Sequence, residues 1–143
     1  MDKEIHIGKE ISICAKRIHR KIDKEAAKYG LTDVQSRIIG FIYNNSKNRD
    51  IFQRDIETEL DIRRSSVTSV LKLMEKKEYI KRISVCEDAR LKKIVLTEKG
   101  EEVQKNVFDF ILDFEKSLRE ELTGEEMDTL LKLINKLSKK IAE

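Results

Sequence analysis

Apolar residues recur at intervals of three and four along most of the chain, which is the period of an amphipathic α-helix. The first apolar stripe consists of Ile7, Ile11, Cys14, Ile18 and Ile22, and it must be covered by another element or another chain. This first helix is expected to end at Tyr29-Gly30. A second helix begins at Thr32, because Thr32 and Gln35 form a capping-box pattern, and it continues to the polar loop at residues 44–48.

The next two predicted helices are separated by a tight turn at residues 61–63. The shorter helix covers Gln53 to Leu60, and the longer one runs from Arg64 to about Lys77. Val67, Val70, Leu71 and Met74 form the buried face of the longer helix. Its opposite face carries cations and small hydroxyl side chains: Arg63, Arg64, Ser65, Thr68, Ser69 and Lys72. Small side chains let a helix approach a groove closely and cations attract phosphate, so this face is typical of nucleic-acid binding.

After Tyr79 the apolar residues change from a helical to an alternating period. Ile83 and Val85, and then Ile94 and Leu96, alternate with polar neighbours, as residues in strands do. A charged segment joins the two predicted strands. A hairpin that directly follows a helix-turn-helix indicates a winged helix.

Two long helices are predicted after the hairpin. Thr97 caps the first, whose apolar face carries Val103, Val107, Phe110, Phe114 and Leu118. Thr123 and Glu126 form a capping box for the second, whose apolar stripe runs from Met127 to Ile141. The predicted fold class is mainly α (an α+β winged helix), with six helices and a two-stranded β-hairpin wing.

The charge of the chain is unevenly distributed. The net charge of the 143 residues is only +3, but residues 63–93 contain ten Lys or Arg against four Asp or Glu, a local balance of +6. A basic segment on a mildly acidic body indicates a surface that meets a polyanion. No apolar run approaches the roughly 20 residues of a membrane span. We therefore expect no membrane partner. Two cysteines are too few for a disulfide framework and are typical of a reducing compartment, so we expect a cytoplasmic protein.

The sequence gives little support to a catalytic or metal-dependent function. It contains no glycine-rich phosphate loop and no nucleophile with a base at a recognised spacing, so we expect neither an enzyme nor a cofactor. His6 and His19 would lie about 140° apart around one helix and ~20 Å apart along it, too far to share a metal ion within the chain. Cys14 is interpreted as a small hydrophobe rather than a peroxide sensor, because it lies on the apolar stripe. Cys86, at the wing, is expected to be more exposed.

Three stretches resemble the MarR family of bacterial and archaeal transcription regulators: QRDIETELDIRRSSVTSVLKLMEKKEYIKR, EDARLKKIVLTEKGEE and LTGEEM. The most specific part is Asp88-x-Arg90 followed by the sequence LTEKG at residues 96–100. One position departs from the family's pattern, since Glu78 stands where relatives usually have glycine. We expect the helix to end differently there.

The resemblance implies a single domain over residues 1–143 that assembles as a homodimer. Residues 1–30 and 98–143 would form the interlocking dimerisation helices, and residues 31–97 the winged DNA-binding lobe. Such a protein would be a repressor that binds a pseudo-palindromic site in double-stranded DNA. Many relatives release DNA when a small anionic or phenolic effector binds, and some hold that effector between the first helices and the winged lobe. The candidate lining residues here are Ile38, Phe41, Ile42, Tyr43 and Phe110, for each of which core packing is the alternative.

The residues predicted to contact DNA come from three segments. The outward face of the longer helix would lie in the major groove, where Arg63 or Arg64 can bond a guanine. Gln53 and Arg54, at the start of the preceding helix, would contact backbone phosphate. In the wing, Arg90 would enter the minor groove, while Asp88 accepts a hydrogen bond from its guanidinium and orients it. For that pair, a surface salt bridge of little energetic value is the alternative.

A winged-helix module that binds proteins, without specific DNA binding, is the alternative function. Such a module would present an apolar or acidic recognition helix, and the segment from Arg63 to Lys72 is neither. The sequence therefore favours a sequence-specific DNA-binding regulator.

Overall fold

A computed structural model describes residues 4–85 and 87–142, with Asp88 and Ala89 described by their backbone alone. The elements are α1 (Ile7–Ala26), a 3-10 turn (Ala27–Tyr29), α2 (Asp33–Asn45), α3 (Gln53–Leu60), α4 (Arg64–Lys76), β1 (Ile80–Val85), β2 (Asp88–Leu96), α5 (Glu98–Glu120) and α6 (Gly124–Ile141). The predicted fold class, six helices with a two-stranded hairpin between the fourth and fifth, is confirmed. None of the helices in the described ranges is long and apolar enough to span a membrane.

The chain divides into two compact units, Met1–Phe108 and Asp109–Glu143. The first unit holds α1 to α4, the hairpin and the beginning of α5. The second holds the rest of α5 and all of α6. In the second unit the rings of Phe110 and Phe114 stack with their centroids 6.1 Å apart.

Two of the helix starts carry the capping boxes that the sequence predicts. At α2, the Gln35 N–H donates to the Thr32 hydroxyl (3.2 Å) while the Gln35 side chain accepts from the Thr32 N–H (3.0 Å). Thr123 and Glu126 make the same pair of bonds at α6. Each box satisfies two N–H groups that a helix start leaves without an internal partner, which is why both helices begin where they do.

The core of the first unit is built mainly from isoleucine. Its fully buried side chains come from α1, α2, α3, α4, the hairpin and the α2–α3 loop: Ile22, Ile38, Ile39, Ile42, Ile51, Ile56, Val67, Leu71, Met74, Ile80 and Ile94. Val67, Leu71 and Met74 belong to the face of α4 that the sequence predicts as buried. Burying a side chain of this size contributes about 1.5–3 kcal/mol, so these three residues fix which face of α4 points outward.

Helix α4 ends in a left-handed turn centred on Glu78. Glu78 has a φ of 66°, its N–H donates to the Glu75 carbonyl, and the Tyr79 N–H donates to the Met74 carbonyl (both 3.0 Å). These two bonds form a Schellman motif, whose left-handed position glycine usually occupies. The expectation that the helix ends differently at Glu78 is therefore wrong, because the chain keeps the turn and accommodates a glutamate in it.

The hairpin lies against the body through one face of each strand. The strands pair antiparallel, with Ile80 opposite Leu96 and Arg82 opposite Ile94. Ile80 and Ile94 are buried, whereas Ile83 is 41% exposed. The alternation at Ile83 thus indicates a strand correctly but not its buried face, which Ile80 and Arg82 share since residues two apart lie on one side. The Ile94 N–H also donates to the Ile51 carbonyl (2.7 Å), which fastens the wing to the segment before α3.

The start of α5 is fixed to the end of α4. The Thr97 hydroxyl donates to the Glu78 carbonyl (2.5 Å) and accepts from the Gly100 N–H (3.1 Å). The Lys99 ammonium donates to the Lys77 carbonyl (2.8 Å) and lies 4.6 Å from the centre of the Tyr79 ring. These bonds satisfy carbonyls at the C-terminus of α4, and they give the LTEKG segment a structural role.

Candidate nucleic-acid interface

The outward face of α4 presents cations and hydroxyl groups to solvent. Arg63, Arg64, Ser65, Ser69 and Lys72 are all exposed. The segment between Asp61 and Glu75 contains no acidic residue. Because the buried face of the same helix is apolar, these side chains share one side of α4 as the sequence predicts. The result is an acid-free helix face that can approach an anionic surface.

Gln53 and Thr68 are bonded to each other, which the sequence does not indicate. The Gln53 side-chain amide donates to the Thr68 hydroxyl (2.7 Å), and that hydroxyl donates to the Arg64 carbonyl (2.8 Å). Both residues are half-buried. The pair therefore holds the start of α3 against α4, and contact of either residue with DNA stays a prediction.

Arg54 is exposed at the start of α3, where the sequence places it. Its guanidinium lies 5.7 Å from the centre of the Phe52 ring. A cation over an aromatic face is restrained in direction. Arg54 is therefore held beside α4 with its charge available to an anion.

In the wing, Arg90 lies on β2 and is exposed. The side chain of Asp88, its predicted partner, lies outside the described residues, as does the whole of Cys86. The predicted Asp88–Arg90 hydrogen bond therefore stays a prediction. The wing strands nevertheless put Arg90 and Lys92 on one side of β2, because residues two apart in a strand share a face.

A cavity of about 390 Å³ lies among α3, α4 and the wing, and we call it the basic cavity. Its lining comprises Phe52, Gln53, Arg54, Glu57, Arg64, Arg82, Arg90, Leu91 and Lys92. Five of these residues are cationic and one is acidic. Arg82 and Lys92 are not among the residues predicted from the sequence. The signal that could have found Arg82 is its position two residues after the buried Ile80.

The five candidate effector-pocket residues are spread over two environments. Ile38 and Ile42 have no exposed surface and belong to the core. Phe41 and Tyr43 are half-buried on α2, and Phe110 is half-buried in the second unit. A cavity of about 600 Å³ lies instead between α1, the start of α2 and the α3–α4 turn. It is lined by Ala15, Ile18, His19, Asp33, Val34, Arg37, Glu59, Leu60 and Ile62.

The polar wall of that second cavity is a hydrogen-bonded network around the buried Asp33. The Asp33 carboxylate is 4% exposed, and it pairs with His19 on α1 and with Arg37 (2.9 Å) one turn further along α2. The Asp33 N–H donates to the Asp23 carboxylate (2.5 Å). The network joins α1 to α2, and it leaves both positive and negative groups at the cavity.

Cys14 and His19, which the sequence analysis considers as a sensor and a metal ligand, both lie on α1. Cys14 is exposed, with a free thiol, on the part of α1 that the first unit does not cover. Its predicted burial is therefore not achieved within one chain. His19 bonds Asp33, and residues 4–85 and 87–142 contain no group of three or more His, Cys, Asp or Glu side chains able to hold a metal ion.

Comparison with known proteins shows which family this chain resembles. The sequence profile of the MarR family matches residues 29–91, from the end of the 3-10 turn through the start of β2. Over these residues the chain is similar to the MarR family. A solved MarR-family structure from Oenococcus oeni PSU-1, the transcription regulator MarR, is 28% identical and superposes with a TM-score of 0.81 over 94% of this chain and 99% of that one.

Two further relatives extend the MarR comparison. The HTH-type transcriptional regulator BilQ of Clostridioides difficile (strain CD3) is 29% identical over 91 residues, which cover 64% of this chain and 61% of BilQ. The S. aureus MepR–DNA complex has the same fold, with a TM-score of 0.87 at 22% identity over 96% of this chain and 99% of MepR. The matched part thus spans less than two thirds of the curated relative's length.

Proposed function

We propose that this chain is a MarR-family protein and acts as a cytoplasmic, sequence-specific regulator that binds double-stranded DNA as a homodimer and represses transcription. The observation that carries this proposal is the outward face of α4. Its cations and small hydroxyls are exposed, while Val67, Leu71 and Met74 hold the opposite face in the core. A helix fixed in this way can enter the major groove with its side chains already directed at the bases.

The wing supplies a second point of contact. With α4 in the major groove, Arg90 on the wing would enter the neighbouring minor groove, where a narrow groove concentrates negative potential. Arg54 would meet a backbone phosphate at the start of α3. MepR, which shares this fold, has been solved in complex with DNA, and this supports DNA as the partner proposed here.

Repression follows from the geometry of a two-fold dimer. Two copies of α4 would read half-sites one helical turn apart, a spacing of about 34–36 Å on a pseudo-palindromic site. A dimer bound across a promoter excludes polymerase from it. Expression from the chain's own promoter in a reporter assay should therefore rise when the protein is removed.

Control by a small anionic or phenolic effector belongs to the same proposal. The cavity of about 600 Å³ next to Arg37 and His19 is within the size range of small-molecule sites. A ligand there would touch α1, α2 and the α3–α4 turn together. A ligand that prefers a dimer with a different spacing of the two α4 helices would shift the population away from the DNA-bound form. Titrating small aromatic carboxylates and phenols into the protein–DNA complex, and measuring the fraction bound, tests this control.

The experiment that tests DNA binding is fluorescence anisotropy over a salt series. The labelled fragment lies upstream of the protein's own gene, and a random fragment of equal length is the reference. We expect preferential binding with a steep salt dependence, because phosphate contacts release counterions. The Arg90→Ala variant should lose about 1–3 kcal/mol of binding free energy on the specific fragment.

The matched control is Arg119→Ala, which removes an exposed arginine from the second unit. It should bind the specific fragment as the wild type does. Equal and weak binding of the wild type to both fragments would refute the regulator and favour the protein-interaction module. Equal losses in the two variants would remove the assigned role of Arg90.

A further inference from the structure

Arg82 lines the basic cavity and has buried hydrogen-bond donors without a partner among the described residues. It lies on β1, opposite the buried Ile94, with its side chain among the lining residues of the cavity. Its Nε and Nη2 atoms are buried, and within residues 4–85 and 87–142 neither has a hydrogen-bond partner. A buried donor without an acceptor is costly, and more so when it is charged. Such a group in a native protein calls for an acceptor that the isolated chain does not supply.

The surroundings of Arg82 define the acceptor. Four other cations line the same cavity, from α3 (Arg54), α4 (Arg64) and the wing (Arg90 and Lys92), against one carboxylate among the described side chains, that of Glu57. Bringing like charges together is unfavourable unless an anion joins them. The acceptor is therefore an anion, and the planar guanidinium of Arg82 suits one with several oxygen atoms, such as a phosphate.

We infer that the basic cavity receives one backbone phosphate of the bound DNA, and that the Arg82 guanidinium turns out of its buried position to donate to that phosphate from the wing. This inference rests on the proposed function and adds to it a contact that lies between the two grooves. The cations of the cavity come from the element assigned to the major groove and from the element assigned to the minor groove. One phosphate held between them would fix how far α4 and the wing sit apart along the duplex.

The consequence for the free protein is also specific. Because Arg82 makes no hydrogen bond through Nε or Nη2 to the described residues, its charge adds nothing to the folded state through those atoms. Arg82→Met keeps most of the side-chain volume and removes the unsatisfied donors. We expect its melting temperature to equal or exceed that of the wild type at the same protein concentration. Reduced DNA binding in this variant would then not be a result of unfolding.

The deciding experiment neutralises one phosphate at a time. A set of duplexes carries the specific promoter fragment with a single methylphosphonate at successive positions, and anisotropy gives the affinity of each. For the wild type, one position in each half-site should lose about tenfold in affinity. Arg82→Met should bind the unmodified duplex about tenfold more weakly and should be insensitive to the modification at that position, so that the two changes are not additive.

Lys81→Met is the matched control, since it removes an exposed cation from the adjacent position of the same strand. It should keep the wild-type response to every modified position. The slope of log K against log salt concentration should decrease in magnitude by about the amount expected for one phosphate contact in Arg82→Met. The slope of the control should stay unchanged.

Three outcomes would overturn the inference. If each modified position weakens the wild type and Arg82→Met equally, no phosphate is bound through Arg82 while the regulator itself stands. If inorganic phosphate, at matched ionic strength, raises the melting temperature of the wild type but not of Arg82→Met, the ligand of the cavity is a free anion. If the wild type does not prefer the promoter fragment to a random fragment, both the proposed function and this contact are refuted.

Discussion

At the scale of the residue, Glu78 holds a backbone conformation that suits glycine. A non-glycine residue in the left-handed region costs on the order of 1–3 kcal/mol, and the extra freedom of glycine in the unfolded chain offsets part of the gain from replacing it. We expect Glu78→Gly to raise the free energy of unfolding by about 1 kcal/mol. Urea denaturation at a fixed protein concentration measures it.

The control for that substitution lies three residues earlier on the same helix. Glu75→Gly places glycine inside α4, where it should lower the free energy of unfolding by about 1 kcal/mol relative to a good helix former. Changes of opposite sign in the free energy of unfolding of the two variants would establish that the conformation of Glu78 is strained. A loss of stability in Glu78→Gly would mean that its side chain stabilises the turn by more than the strain costs.

Gly100 is a second residue whose identity the backbone requires. A Cβ atom there would lie 2.3 Å from the Tyr79 carbonyl oxygen, a backbone atom in the turn after α4. Gly100→Ala should therefore push α5 away from the end of α4 and lower the free energy of unfolding by about 1–3 kcal/mol. Gly124→Ala, at a position with no atom within 4 Å of the added Cβ, should leave that free energy nearly unchanged. Equal effects in a denaturation series would contradict the close packing of α5 on Tyr79.

At the scale of the element, the helices could be predicted because their starts and faces are local features. Thr32 and Thr123 each specify a cap with a residue three positions later, and the spacing of Val67, Leu71 and Met74 specifies the buried face of α4. These signals use only neighbours in the sequence. Tertiary packing therefore leaves the starts of these helices at the predicted positions.

The buried face of the wing could not be predicted from neighbouring residues in the sequence alone. Ile83 and Val85 have the alternation of a strand, but the face that is buried depends on which side meets the loop before α3. The bond from Ile94 to Ile51, more than 40 residues apart in the sequence, decides this. Arg82 consequently lies inside the basic cavity, although the sequence pattern around Ile83 places it on the polar side.

The candidate site likewise has one part that could be predicted from the sequence and one part that could not. The exposed cations of α4 could be predicted because one helix carries them all. The link between Gln53 and Thr68 and the cavity shared by Arg54, Arg64 and Arg82 could not, because they join α3, α4 and the wing. A single sequence does not specify the distances between such elements.

At the scale of the whole molecule, each unit leaves large apolar side chains uncovered. In the first unit Ile7 is 54% and Ile11 is 49% exposed on α1. In the second, Leu130, Leu131 and Ile134 on α6 are 45%, 56% and 47% exposed. These residues belong to the regular stripes of the two helices. Apolar stripes of this length are stabilised when a partner removes them from water, at roughly 25 cal/mol for each Å².

A homodimer built on these stripes is therefore the assembly we predict. Sedimentation equilibrium should give twice the chain mass of 16.8 kDa at micromolar concentration. Ile134→Lys should shift the protein toward monomer, since a charge in a two-fold interface occurs twice. Thr129→Lys adds the same charge to α6 away from the stripe and should leave the dimer intact.

DNA binding connects this assembly to the proposed function. A monomer engages one half-site only, whereas in a dimer the first contact raises the effective concentration of the second α4 at its own half-site. Ile134→Lys should therefore lose affinity for the full site by about 10²-fold or more, while its weak binding to a single half-site stays at the wild-type level. A variant that is monomeric and still binds the full site as tightly as the wild type would separate dimerisation from recognition. A wild type that remains monomeric at high concentration would remove the two-fold geometry on which the half-site spacing depends.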